Sequence, residues 1–169
     1  MPDYCDRTRK EVTHVKKLIV LVALLCTVMI SSTAAAANWV WIGSDDEITI
    51  YVDNNSIRRD YNYSGYVFRA FVKYVYNDTG RNRQIEWWRT NAGFLPKGIY
   101  DLSHKINLEY FKKENGLKHR CTVNSTCYKF DGNIIPEMGF SLSELQWDII
   151  NPDTVGEAVF DAVYARVPN

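Results

Sequence analysis

Apolar and polar residues alternate most cleanly over Gly65–Asn77, GYVFRAFVKYVYN, thirteen residues without proline or an internal break. One face carries Tyr66, Phe68, Ala70, Val72, Tyr74 and Tyr76; the other carries Val67, Arg69, Phe71, Lys73, Val75 and Asn77. A period of two in β-branched and aromatic residues predicts a strand half-buried against a core. Val67, Phe71 and Val75 are also spaced by four, but a helix would scatter the even-numbered aromatics around its circumference. The length exceeds the usual strand of about five or six residues, which places this one inside a sheet.

Weaker patterns surround it. Asn38–Ile42 sets Trp39 and Trp41 on one face, and Glu47–Asp53 aligns Ile48, Ile50 and Val52. Asn77-Asp78-Thr79-Gly80 has turn composition, and Arg83–Thr90, with Ile85, Trp87 and Arg89 opposite Gln84, Glu86 and Trp88, predicts another strand. Asn91–Leu102, with two glycines and Pro96, predicts an irregular crossover. A meander follows: Ile106, Leu108 and Tyr110 alternate with Lys105, Asn107 and Glu109, and Asn115-Gly116 supplies a tight hairpin. Leu117–Val123 returns, Thr126–Phe130 comes back, and Asp131-Gly132 turns into Asn133–Ile135. Thr154-Val155-Gly156-Glu157 is a capping box, opening a terminal helix with Val155, Val159, Ala162 and Val163 on one stripe and Phe160 at its edge. The expected fold class is α+β: an antiparallel sheet of about six strands with one C-terminal α-helix packed on a face.

The N-terminus changes where that domain starts. Lys16-Lys17 precede an apolar run, Leu18–Ile30, followed by Ser31-Ser32-Thr33 and Ala34–Ala37. This is the order of a secretory signal, so 1–37 is expected to be an N-terminal extension and cleaved leader, and 38–169 a single domain. Thirteen apolar residues fall short of the roughly 20 that a spanning helix needs, so no membrane span is expected after cleavage. Cys26 lacks the small preceding residue of a lipobox; Leu25 stands there. The residues before Lys16 carry Asp3, Asp6 and Glu11, unusual in a leader, and Val15 read from a GTG codon is an alternative start.

Residues 38–169 number 132, enough for one core. Losing five of the twenty basic and three of the twenty acidic residues leaves fifteen against seventeen, a net of −2. Nucleic-acid binders show a basic excess; none is present. Two cysteines remain, Cys121 and Cys127, and an even count in an exported chain predicts a disulfide across a hairpin tip at Thr122–Thr126. A metal site built on these thiols with His104 and His119 is the weaker alternative, and no cofactor is implied.

Catalytic signatures are sparse. Ser103 and His104 follow Asp101 but fall on opposite faces of a strand, and no G-x-S-x-G, H-E-x-x-H, P-loop or G-x-G-x-x-G occurs. His119 falls on the apolar side of its strand; Glu109, Glu144 and Asp45-Asp46 read as solvent-side carboxylates. The expectation is a protein that is not an enzyme. Lys112, Lys113, Lys118 and Arg120 cluster around the Asn-Gly hairpin and form a candidate partner-binding patch, although lysines at such places also guard edges against aggregation. Val67, Phe71 and Val75, bracketed by Arg69 and Lys73, form a candidate interface to a covering loop such as Asn91–Leu102 or to a second molecule.

Several short motifs together resemble the surface-adhesin protein E family of exported bacterial proteins. They are Trp39, then Tyr51-x-Asp53-x-x-Ser56-Ile57, then Tyr128-x-x-Asp131-Gly132, and last Trp147-x-x-Ile150-x-Pro152-x-Thr154-x-x-Glu157. The resemblance implies an antiparallel sheet with a C-terminal helix. It also implies a periplasmic or cell-surface location, protein partners such as host extracellular-matrix or serum proteins, and a capacity to dimerise. Two features depart from it: the leader has no lipobox, and the terminal helix has no cysteine. The alternatives are a periplasmic accessory or small-ligand module with an apolar pocket between sheet and helix, and, more remotely, a hydrolase.

Overall fold

The computed structural model describes residues 36–60, 67–141 and 146–167. Residues 37–169 form one compact unit. Gly65 and Tyr66, Glu144 and residues 1–35 of the expected leader lie outside the described residues.

The long alternation is strand β4, Val67–Tyr76. Its neighbours are β1 (Trp39–Ser44), β2 (Ile48–Asp53), β3 (Arg58–Asp60), β5 (Leu102–Glu114), β6 (Leu117–Lys129), β7 (Phe140–Ser141) and β8 (Asp148–Ile149). The order across the sheet is β1-β2-β4-β5-β6-β7, with β3 beside β4 and β8 beside β6, and every pairing is antiparallel. Among the described residues the sheet therefore has eight strands rather than about six. Two helices accompany it among the described residues, α1 (Asp78–Asn91) and the terminal α2 (Val155–Tyr164).

Helix α1 replaces the strand expected over Arg83–Thr90. Asn77 ends β4 and becomes the N-cap, its side chain accepting from Gly80 N at 2.9 Å while its amide donates to Asp46 O at 2.8 Å. The same four residues that compose a turn thus start a helix. Ile85 and Trp88, three apart, are its inward residues, and Trp87 is left exposed. Gly80 sits against the main chain of Glu47; a Cβ there would lie 2.3 Å from the Glu47 carbonyl oxygen.

The Asn-Gly hairpin forms as expected, with Asn115 at φ 51° and Gly116 at φ 81°, both left-handed as a two-residue turn of this kind requires. The terminal cap forms in part: Thr154 Oγ1 accepts from Glu157 N at 3.3 Å, while Glu157 Oε2 accepts at 2.8 Å from Asp153 N rather than from the amide of Thr154 itself.

The Cys121–Cys127 disulfide does not. Thr122–Thr126 is the middle of β6 rather than a hairpin tip, and both cysteines are buried and free. Six residues of extended chain hold them roughly 20 Å apart, far beyond the Cα separation of a disulfide. A bulge where Leu108 pairs Asn124 and Glu109 pairs Thr122 makes Val123 an extra residue. The thiols consequently face opposite sides, Cys121 with Val67 and Tyr110 and Cys127 with Tyr76, Ile99 and Met138. Burial pushes the Cys127 thiol up to about 11 and raises Cys121 as well. Iodoacetamide under denaturing, non-reducing conditions should label both cysteines, and the folded protein should resist labelling; a peptide map showing neither labelled would contradict the unbroken strand.

The two sheet faces differ. On the inner face, Phe68, Ala70 and Val72 of β4 join Ile50, Val52 and Phe111 beneath Val159, Phe160 and Val163 of α2. Farther along, Tyr76 and Cys127 pack with Ile85 of α1 and with Ile99, Leu102, Ile135 and Met138. No helix among the described residues covers the outer face. Val67 is buried there with Tyr110 and Cys121, with Trp147 packed against them, whereas Phe71 is 41% exposed and Val75 half-buried. The Asn91–Leu102 segment does not cover them, because Leu95, Ile99 and Leu102 pack on the inner side.

Candidate functional site

Two helices covering opposite ends of one sheet face leave its middle open. The gap is a cavity of about 600 Å³, with α1 supplying Gln84, the first turn of α2 supplying Thr154–Gly156, and the strands supplying the floor. Register decides what the floor is made of. Ala70 pairs with Glu109, Val72 with Asn107 and Tyr74 with Lys105, so the polar side of β5 lies on the same side as the core residues of β4. Glu109 and Asn107 are inward, 1% and 4% exposed, not the solvent face their alternation suggested. Ile106 and Leu108 are the half-buried outer residues. From β6, Thr122 opposite Glu109, and Arg120, complete the floor.

Glu109 is the centre of this arrangement. Its Oε1 accepts from the Tyr74 hydroxyl at 2.6 Å and from Asn107 Nδ2 at 2.9 Å. Its other oxygen, Oε2, has no hydrogen-bond partner among the described residues, and neither has Asn107 Oδ1, although both atoms are buried. An orphaned buried acceptor ordinarily costs about 1–3 kcal/mol, so two beside one cavity call for an explanation. Burial, then the Glu109 charge, drives the Tyr74 phenol well above its ordinary range, so it stays protonated and donating.

Lys105 lies over the rings of Tyr74 and Tyr76 at 4.8 and 6.0 Å, and burial lowers its pKa against the opposing pull of Glu109. Arg120 reaches the start of α2, its Nη1 being 3.6 Å from where a Cβ on Gly156 would lie. Neither Lys105 nor Arg120 makes an ion pair with a described residue. Asp45, Glu47 and Asp148 add carboxylates to the lining, Glu47 being paired with Arg83. No group of three or more His, Cys, Asp or Glu among the described residues could hold a metal ion.

The candidate basic patch divides. Lys112 pairs across the sheet with Val67, on the outer side, where it lies over Trp147 and bonds Glu114 at 2.7 Å. Lys113 and Lys118 pair on the inner side; Lys118 is held by Glu157 and Asp161 of α2, both at 2.7 Å, while Arg120 turns toward the cavity. Lys118 and Arg120 do share a face, as their spacing suggests. Ser103 and His104 are not kept apart: Ser103 is the extra residue of a bulge, and its Oγ lies 3.2 Å from His104 Nδ1. His104 stacks on Tyr128 at 4.9 Å. Burial, then Lys73, lowers its pKa.

No family model, curated protein or solved structure matches the chain. No helix among the described residues is long and apolar enough to cross a membrane.

Proposed function

We propose that the chain is an exported binding protein that holds a small polar ligand in the cavity between α1 and α2. The observation that carries this is the pair of buried acceptors, Glu109 Oε2 and Asn107 Oδ1, orphaned on two residues that line a cavity large enough for a ligand. A purely structural polar network would satisfy its own members; this one keeps capacity for a hydrogen-bond donor from outside. The pocket between sheet and helix belongs to the small-ligand alternative, but its floor is polar where an apolar one was expected.

The test is a thermal-shift screen of the purified protein against amino acids, amines, sugars and carboxylic acids. A compound class should raise Tm in a saturable way, and the rise should vanish when Thr122→Trp fills the floor. No stabilising solute in any class would contradict the proposal.

The exposed aromatics favour a second reading. Trp41 and Phe71 are 60% and 41% exposed on the outer face, near Lys73, whose ammonium lies over Trp39 and Tyr51. Such a face suits the protein–protein interaction that the adhesin resemblance implies, at the cell surface or in the periplasm. Protease shaving of intact cells separates these locations: cleavage in intact cells supports a surface adhesin, and protection until the outer membrane is broken opposes it.

A further inference from the structure

The cavity floor presents charges of both signs in a fixed order. Lys105, Asn107 and Glu109 are successive inward residues of β5, so their side chains stand roughly 7 Å apart. Arg120 lies on β6 two residues from Thr122, the partner of Glu109, which puts it diagonally next to Glu109 at roughly 7–8 Å. The sequence along the floor is therefore cation, amide, carboxylate, cation, with Asp148 of β8 opposite Arg120 across the sheet but not ion-paired with it. Each cation lacks an ion-pair partner among the described residues, and the carboxylate has one oxygen without a hydrogen bond.

Each simple ligand class leaves part of this set unanswered. A simple cation would satisfy Glu109 and Asn107 but meet Arg120 and Lys105. An inorganic anion would suit the two cations and face Glu109. A sugar would supply hydroxyls but no cationic group for Glu109, the buried charge of the set. We infer that the ligand is an α-amino-acid zwitterion, its ammonium on Glu109 Oε2 and Asn107 Oδ1 and its carboxylate on the Arg120 guanidinium. The ammonium has three donors for two orphan acceptors, and a guanidinium grips a carboxylate through two parallel bonds. Its side chain then extends toward Lys105, Tyr76 and the acidic residues Asp45 and Glu47. About 600 Å³ is more than a small amino acid fills, which leaves room for a long polar side chain.

This inference rests on the small-ligand proposal, and calorimetry can tell their failures apart. The purified protein is titrated with free amino acids, their N-acetyl and methyl-ester derivatives, dipeptides, and monosaccharides. Free amino acids should bind, with blocking of either end costing tenfold or more. Dipeptides that bind as tightly as free amino acids would show that ammonium and carboxylate need not share a carbon, overturning the α-amino-acid assignment. Sugars, amines or blocked derivatives binding as well as the parent would overturn the zwitterion while leaving a ligand pocket. Silence from every solute would overturn the pocket proposal itself. Glu109→Gln and Arg120→Gln should each weaken binding at least tenfold with the folded circular-dichroism spectrum retained. Full affinity in a folded Arg120→Gln protein would remove the carboxylate site.

Discussion

Phe160→Ala is expected to lower the unfolding free energy by about 3–5 kcal/mol, a large share of the total stability of a domain this size. Phe160 is 2% exposed. It meets Phe111 edge-on with centroids 6.1 Å apart, stacks on Tyr164 at 5.8 Å, and carries the Lys118 ammonium 5.5 Å above its ring. With Val159 and Val163 it makes up the buried residues of α2. Ten residues are too few to be helical alone, so α2 exists because this side is buried. Truncation would loosen the helix and with it the cavity wall at Thr154–Gly156. Urea unfolding followed by fluorescence checks it. Asp161→Asn, which touches only an exposed ion pair, is the control and should change stability by less than about 1 kcal/mol.

Gly80→Ala should also destabilise, although alanine in a helix is normally worth about 1 kcal/mol over glycine. The added carbon would fall 2.3 Å from the Glu47 carbonyl oxygen and 3.0 Å from its carbon, both main-chain atoms. That oxygen already accepts from Asn77 N at 3.0 Å, where β4 passes into α1. Neither partner can rotate away, so the helix N-terminus must shift. Overpacking of this kind typically costs about 1–3 kcal/mol. Because Gln84 of α1 lines the cavity, ligand affinity should fall too. A variant as stable as the parent would mean that α1 does not dock on Glu47 as described.

What the sequence discloses follows how local each signal is. β4, the Asn-Gly hairpin and the N-cap of the terminal helix are legible because each depends on a few adjacent residues. Helix α1 is not, since Asn77-Asp78-Thr79-Gly80 composes both a turn and an N-cap, and only Ile85 and Trp88 mark an inward side on a largely polar helix. The cysteines mislead for a similar reason: CTVNSTC has hairpin composition, yet long-range pairing with β5 keeps it extended, and a single bulge turns its ends to opposite faces.

The site is illegible for a deeper reason. On β5, period two correctly separates Ile106 and Leu108 from Lys105, Asn107 and Glu109, but it does not say which side meets the core. The ordinary rule sends the apolar side in. Here the register with β4 sends the polar side in, and such inversions of local expectation are where function concentrates. Tyr74 shows the same thing, a core residue whose hydroxyl is spent on Glu109.

Whether Glu109 serves the fold or a ligand can be decided before any ligand is known, by denaturant unfolding of Glu109→Gln. Glutamine keeps an oxygen for the Tyr74 hydroxyl and the Asn107 amide, and it removes a buried negative charge that no described cation contacts. Residues kept for function at the expense of stability give variants as stable as the parent or more so. An unfolding free energy within about 1 kcal/mol of the parent, or above it, is the expected result. A loss of about 3 kcal/mol or more, as when one partner of a buried ion pair is removed, would show that Glu109 holds the fold together and would contradict the ligand site.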